Sequence, residues 1–257
     1  MKIVVTGGAG YIGSYVCRAL LKAGHKLWVI DDLSTGRQEN LPAEVDFFLA
    51  DFADEKLWQQ LSSKDIDVVI HLAAKIDAAE SVEKPELYLR ENSEKTQQLL
   101  NILSDFPIEG VVFASSAAVY GDAEQIPTPE TAELKPLNPY GKSKVLAEQA
   151  LQDFAKSGKR AIALRFFNVA GTLPEIVIRP RLEAALITAI KKSLENPQVS
   201  LKVFGSDYPT ADGSCERDFV HVADIAQAFV AVIENWSSLK AVSYTHLRAH
   251  ETGRNLV

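Results

Sequence analysis

Three side chains in this sequence have the types and spacing for moving a proton at a hydroxyl-bearing carbon. The segment "NPYGKSK" (138–144) sets Tyr140 and Lys144 four residues apart, which on a helix makes them neighbours on one face. Asn138 suits a helix cap and Pro139 a first helical turn, so the pair falls at a helix start. An ammonium beside a phenol stabilises the phenolate and lowers its pKa toward neutrality, and an oxidised nicotinamide nearby adds to that effect. Tyr140 would then serve as general base for a hydroxyl proton while hydride leaves the same carbon. The segment "FASSAAVYG" (113–121) ends a predicted strand, and Ser116 is the serine expected to hold that hydroxyl. Tyr-x-x-x-Lys alone is a chance pattern on any exposed helix. It gains meaning only beside a hydride acceptor.

The acceptor's site is written in "VVTGGAGYIGSYV" (4–16), four glycines within seven positions behind an apolar run. Gly7 permits a sharp turn after the strand, Gly10 lets backbone approach a pyrophosphate, and Gly13 lets the helix pack close to the sheet. Phosphates would meet unpaired N–H groups and the positive end of the helix dipole. In "VIDDLSTG", Asp31 ends the second predicted strand at the distance where a carboxylate accepts from adenosine ribose hydroxyls. A carboxylate there repels a 2′-phosphate, so NAD is the expected cofactor, although Arg37 nearby leaves NADP open. The competing reading of Asp31 is a turn-capping aspartate.

These motifs need a scaffold that brings them together. Short Val- and Ile-rich runs at 2–6, 26–30, 45–49, 68–72, 110–115 and 161–166 predict strands. Amphipathic stretches at 11–23, 54–61, 85–104 and 140–157 predict helices between them. Such alternation implies an α/β fold with a Rossmann-like, doubly wound parallel sheet. Residues 1–171 are expected to form this NAD-binding domain. Residues 172–240 are expected to form part of a smaller substrate lobe, with a helix at 181–195, a short strand at 200–204, a polar loop at 205–217 and a helix at 222–235.

The chain has 257 residues, 47% of them hydrophobic, enough to bury a full core. Its net charge of −7 argues against nucleic acid as a partner. No apolar run is long enough to span a bilayer, and the opening "MKIVVTGG" carries no secretory pattern. Cys17 and Cys215 have no metal-ligand spacing and read as reduced thiols, so the expected localisation is cytoplasmic. The stretch 241–257 shows neither strand alternation nor a clean helical face, and it reads as a doubtful, non-native tail. Within it His246 and His250 lie four apart, but no third ligand accompanies them, and no metal site is expected.

Together the glycine loop, strand-end serines and Tyr-x-x-x-Lys resemble the extended short-chain dehydrogenase/reductase group. Within it the chain is most similar to the UDP-glucose 4-epimerases, on "TGGAGYIGSYVCRALL", "DDLSTG", "HLAA", "ESVEKPE", "SSAAVYGD", "NPYGKSK", "RFFNVAG" and "VFGSDYPTADGSCERDFVHVADIA". The resemblance implies an isomerase that interconverts UDP-galactose and UDP-glucose through a 4-keto sugar, with NAD retained, acting as a homodimer in galactose metabolism. By that resemblance Gly7, Gly10, Tyr11, Ile12, Gly13, Asp31, Asp32, Leu33, Ser34, Thr35, Gly36, Asp51, Phe52, Leu72, Ala73, Ala74, Asn92 and Phe167 contact the cofactor, with Ser116, Tyr140 and Lys144. Asn168, Val203, Phe204 and Arg217 are implied contacts of the UDP-sugar. Helices 85–104 and 140–157 are the implied dimer surface.

The departures from the group are specific. Ile76 stands where some members carry a lysine, with Lys75 before it; Lys95 stands where a small residue is common; and "RPRLE" replaces a His or Asn ahead of an Ile-Pro. Members of the group also continue for about a hundred residues more, so the chain is expected to be C-terminally truncated, which keeps a non-catalytic NAD-binding module as an alternative. A nucleotide-sugar 4,6-dehydratase would place an Asp-Glu pair after the strand-end hydroxyl for acid and base work in water loss. Ala117 and Ala118 occupy those places. Another NAD-dependent nucleotide-sugar epimerase remains the nearer alternative.

Overall fold

A computed structural model of the chain describes residues 1–174, 176, 186–196, 198–201, 205–240 and 242–247. The strands are β1 (Lys2–Thr6), β2 (Lys26–Asp31), β3 (Asp46–Leu49), β4 (Val68–His71), β5 (Gly110–Ser116), β6 (Arg160–Phe166), β7 (Asn168–Ala170), β8 (Phe219–His221) and β9 (Val242–Leu247). The helices are α1 (Tyr11–Lys22), α2 (Glu55–Leu61), α3 (Ala78–Glu83), α4 (Pro85–Tyr88), α5 (Lys95–Ser104), α6 (Pro139–Ala155), α7 (Leu186–Glu195) and α8 (Val222–Glu234). Seven strands form one sheet in the order β3-β2-β1-β4-β5-β6-β9, every neighbouring pair parallel. The chain thus reverses direction across the sheet between β1 and β4, the crevice where open α/β sheets take their ligands. The short β7 and β8 pair separately.

Alternation of side chains along a strand feeds two apolar layers. On β1, Ile3 and Val5 enter one core with Tyr15, Leu20, Val112, Leu164 and Phe229; Val4 enters the other with Trp28, Trp58, Leu99, Phe113, Leu151 and Phe154. Helices α1 and α8 cover the first layer, and α2, α5 and α6 cover the second. Near-continuous Val/Ile runs are what a strand buried on both faces requires, and β1, β2, β4 and β5 all show them.

The predicted strands 2–6, 26–30, 45–49, 68–72, 110–115 and 161–166 all form, with ends shifted by one residue at most. The predicted helix 85–104 is interrupted: Leu89–Glu94 forms a π-helical turn between α4 and α5. Residues 181–185 of the predicted helix 181–195 and residues 202–204 of the predicted strand lie outside the described residues, while Leu186–Glu195 is helical. The stretch read as lacking strand character instead forms β9 over Val242–Leu247, parallel to β6. Val242 to Thr245 alternate apolar with polar before His246 and Leu247 break the order, a weak period-two pattern that sheet pairing suffices to select.

Candidate active site

The glycine turn is built so that three missing Cβ atoms do three different things. Gly7 sits at φ +74°, and a Cβ there would lie 2.5 Å from the Ala73 nitrogen, so the turn rests directly on the end of β4. A Cβ on Gly13 would stand 2.3 Å from the Gly7 carbonyl, which fixes the close approach of α1 to the sheet. Gly10 is different. Its Cβ would have one neighbour, the Gly7 carbonyl at 3.3 Å, and would otherwise stand in open space at the start of α1. The α1 N-terminus has no side-chain cap, leaving backbone donors free for an anion.

Asp31 closes the same loop. Its Oδ2 accepts from Ala9 N (3.0 Å) and its Oδ1 from Leu33 N (2.9 Å). Burial pushes its pKa up against these two bonds. The carboxylate therefore does the turn-capping work and still faces the cavity, with lone pairs left for ribose hydroxyls. Gly36 leaves room for it, since a Cβ there would meet Asp31 Oδ1 at 3.0 Å.

A cavity of about 1950 Å³ runs from this loop along the carboxyl ends of the strands. Gly7, Gly10, Tyr11, Ile12, Gly13, Asp31, Asp32, Ser34, Thr35, Phe52, Leu72, Ala73, Ala74, Ser116, Tyr140, Lys144, Phe167, Asn168 and Arg217 all line it. Leu33 and Gly36 line a smaller depression beside it, with Arg37. Asp51, partly exposed, and Asn92, buried, are not among the lining residues. Asn92 Oδ1 accepts from Lys75 N (2.7 Å), and its Nδ2 donates to Lys75 O (2.8 Å) and to Ser143 Oγ (3.1 Å). It thereby ties the loop after β4 to α6, and the π-helical turn is what aims it. Asp51 is held by Lys95, whose ammonium bridges Asp51 Oδ2 and Glu91 Oε2 at 2.6 Å each. Val203 and Phe204 lie outside the described residues; so does His250, so the His246–His250 spacing is not described. Among the described residues no group of three His, Cys, Asp or Glu side chains is placed to hold a metal. No helix among them is long and apolar enough to cross a membrane.

Tyr140 and Lys144 lie in the first turns of α6, positioned by Asn138, whose Oδ1 accepts from Gly141 N at 2.8 Å. The Ser116 hydroxyl, at the end of β5, accepts from Ala118 N (3.2 Å) and draws the Tyr140 pKa down against the stronger effect of burial, which raises it. Lys144 is 3% exposed, donates to the Ala114 carbonyl (2.9 Å) and lies 4.7 Å from the centre of the Phe113 ring. Burial holds its pKa down at about 7. The expected lowering of the phenol's pKa by its lysine is therefore corrected for the chain without cofactor. Desolvation dominates both groups and disfavours both charged forms.

Two contributors to the site escaped sequence reasoning. The Tyr88 ring meets the Tyr140 ring edge-on at 6.4 Å, and its hydroxyl donates to Glu80 Oε2 (3.0 Å) while accepting from Asp77 N (3.1 Å). His71, 1% exposed, bridges Thr6 Oγ1 (2.6 Å) and Thr96 Oγ1 (2.9 Å). The Thr96 hydroxyl donates its one proton to Asn92 O (2.7 Å), so His71 must donate from Nε2 and accept at Nδ1. Burial, then the Lys144 charge, hold its pKa down at about 3, which keeps it neutral. Tyr88 follows the quoted "ESVEKPE" and His71 opens "HLAA", but nothing local in either motif announces the contact.

A parallel, doubly wound sheet with this glycine turn and a strand-end serine beside Tyr-x-x-x-Lys defines the extended short-chain dehydrogenase/reductase class. The chain belongs to the NAD dependent epimerase/dehydratase family, whose profile it matches over residues 3–243. It is 42% identical to the UDP-glucose 4-epimerase of Azospirillum brasilense over 236 residues, 90% of this chain and 68% of that protein. Its fold is similar to that of UDP-glucose 4-epimerase from Brucella ovis in complex with NAD: TM-score 0.89, 36% identity, covering 96% of this chain and 77% of that one. The UDP-glucose 4-epimerase of Bifidobacterium longum in complex with NAD+ and UDP is similar at TM-score 0.88 and 30% identity, covering 96% and 78%.

Proposed function

We propose that this chain interconverts UDP-galactose and UDP-glucose by epimerising the sugar at C4 with NAD held in the cavity. The observation that carries the reading is Ser116, Tyr140 and Lys144 in one wall of a cavity that also contains Gly10 and Asp31. Gly7, Gly10, Gly13 and Asp31 would hold the cofactor, which when bound supplies a hydride acceptor and donor at the sugar carbon. Ser116 holds the 4-hydroxyl, and the Tyr140 oxygen removes its proton and later gives one back. Lys144, charged, stabilises the phenolate that this exchange requires. Ala117 and Ala118 follow the serine and supply neither acid nor base for loss of water. Asn168 and Arg217, which line the same cavity, would engage the UDP portion. The volume left between the walls gives a keto sugar room to turn and present its other face.

The test is to incubate the chain with UDP-galactose and no added NAD, then identify the nucleotide sugars formed. UDP-glucose as product supports epimerisation with retained cofactor. A keto-deoxy sugar, or no UDP-glucose even with NAD supplied, overturns the reading.

A further inference from the structure

One departure of the sequence from its group, Lys95, has a structural counterpart at one end of the cavity. Lys95 opens α5, and its ammonium donates to Asp51 Oδ2 and to Glu91 Oε2, at 2.6 Å each. The two carboxylates belong to different pieces of the lining. Asp51 follows β3, where Ala50 N donates to Asp31 O (3.2 Å), so its turn lies beside the strand end that carries Asp31. Ala53 N donates to Asp51 Oδ1 (2.9 Å), and the residues on either side of Asp51, Ala50 and Phe52, line the cavity. Glu91 lines it as well, from the π-helical turn, and its Oε1 accepts from Arg90 Nε (3.0 Å). Lys95 thus joins two parts of the cavity wall that are distant in the chain. A small side chain at this position could reach neither carboxylate.

The two parts border the cavity beyond Asp31. With pyrophosphate at the glycine turn and the adenosine ribose at Asp31, the base of a dinucleotide would extend past the end of β2 toward β3, where Ala50 and Phe52 offer apolar surface. The side chains of Lys95, Asp51 and Glu91 are 25%, 41% and 19% exposed. Ion pairs this open contribute little to folding, so the place of the cluster matters more than its strength. Partial burial opposes the Lys95 charge, and the bonds to Asp51 and Glu91 outweigh it and raise its pKa above the ordinary value. A wall fixed in advance spares the cofactor the cost of ordering it. The ammonium also offsets two carboxylates that would otherwise oppose an anionic dinucleotide.

We propose that Lys95 is a positioning residue for the adenosine end of NAD: by bridging Asp51 and Glu91 it holds the turn after β3 and the π-helical turn at the spacing that takes the base. The proposal rests on the placement of NAD given above, at the glycine turn and Asp31, and not on the sugar chemistry. Its test is the dissociation constant of NAD, by calorimetric titration into the chain freed of nucleotide. Lys95→Met keeps most of the side chain's length and loses both bonds, and is expected to raise that constant by about tenfold. Lys95→Arg is expected to regain most of the affinity, because a guanidinium can also bridge two carboxylates. In a double variant with Asp51→Asn the loss is expected to be no greater than in the weaker-binding single variant, since each change alone breaks the bridge. UDP titrated into NAD-saturated Lys95→Met is expected to bind as in the parent, which separates a local effect from a misfolded chain. NAD affinity equal to the parent's in folded Lys95→Met, or losses that add in the double variant, overturns the proposal. A parent chain that binds no NAD overturns the cofactor placement itself and the proposal with it.

Discussion

Tyr140 and Lys144 sit in a wall that disfavours the charges they need, so their chemistry depends on what enters the cavity. Tyr140→Phe removes the proton carrier and leaves the ring that packs against Tyr88. Turnover of UDP-galactose is expected to fall by at least about 10²- to 10⁴-fold, with NAD content unchanged by absorbance after denaturation; near-parent turnover would remove Tyr140 as the base. Lys144 makes a separate prediction about stability. Its pKa is about 7 in the folded chain against an ordinary 10.5, so between those values the unfolded chain holds more protons. Stability from this group therefore rises with pH across that window, by about 1.4 kcal/mol per pH unit, and below pH 7 it is independent of pH at its least favourable value. Lys144→Met removes the slope. Urea unfolding of both proteins without cofactor from pH 7 to 8.5 should show Lys144→Met the more stable at pH 7 and the difference closing as pH rises. A constant difference would mean that Lys144 is already charged in the folded state.

At the scale of elements, the glycine turn offers an internal control. Gly13→Ala places a methyl group 2.3 Å from the Gly7 carbonyl and 2.7 Å from the Gly8 Cα, so α1 must leave the sheet. Gly24 lies at φ +83° with nothing within 4 Å of a Cβ, so Gly24→Ala costs only left-handed backbone strain, about 1 kcal/mol. Thermal unfolding and bound NAD should separate them: Gly13→Ala loses the cofactor and more stability, whereas Gly24→Ala keeps the cofactor. The same distinction explains which elements could be read in advance. Strands β1, β2, β4 and β5 are buried on both faces and announce themselves as Val/Ile runs. Asn138 and Asp54 announce helix starts because each side chain caps its own helix. The three-residue β7 and β8 are too short to show a period. Nothing in "LRENSE" distinguishes a π-helical turn from an α-helix, and the partners that Asn92 reaches from it, Lys75 and Ser143, are distant in sequence.

For the molecule as a whole, what the sequence made legible is what lies close together in it. Gly7 to Gly13 and Tyr140 to Lys144 are local spacings with a fixed meaning on a strand–helix turn or a helix. The links that join them are not local: Thr6 to His71 to Thr96, or Ser115 to Glu148 to Arg165, span 17 to 65 residues between partners. Such pairs become visible only when the β3-β2-β1-β4-β5-β6-β9 order brings the strand ends together. Arg217 stands at the far end of that span. Its Nη1 donates to the Glu216 backbone carbonyl (2.7 Å), and its exposed guanidinium faces the cavity. Asn168 beside it is fixed by donating to Asp218 O (3.0 Å), across the β7–β8 pair. A guanidinium that spends few of its donors on the protein has them available for a diphosphate, where each charge-assisted bond contributes about 1.5–3 kcal/mol. Arg217→Ala is therefore expected to weaken UDP binding by about 10- to 100-fold, less at high salt because the site is open to screening. Calorimetric titration of UDP into the NAD-loaded protein checks this. NAD content should not change, since Arg217 belongs to the segment before β8 and not to the glycine turn or the end of β2. UDP affinity equal to the parent's at low salt would assign Arg217 to the loop alone and return the diphosphate to other residues of that wall.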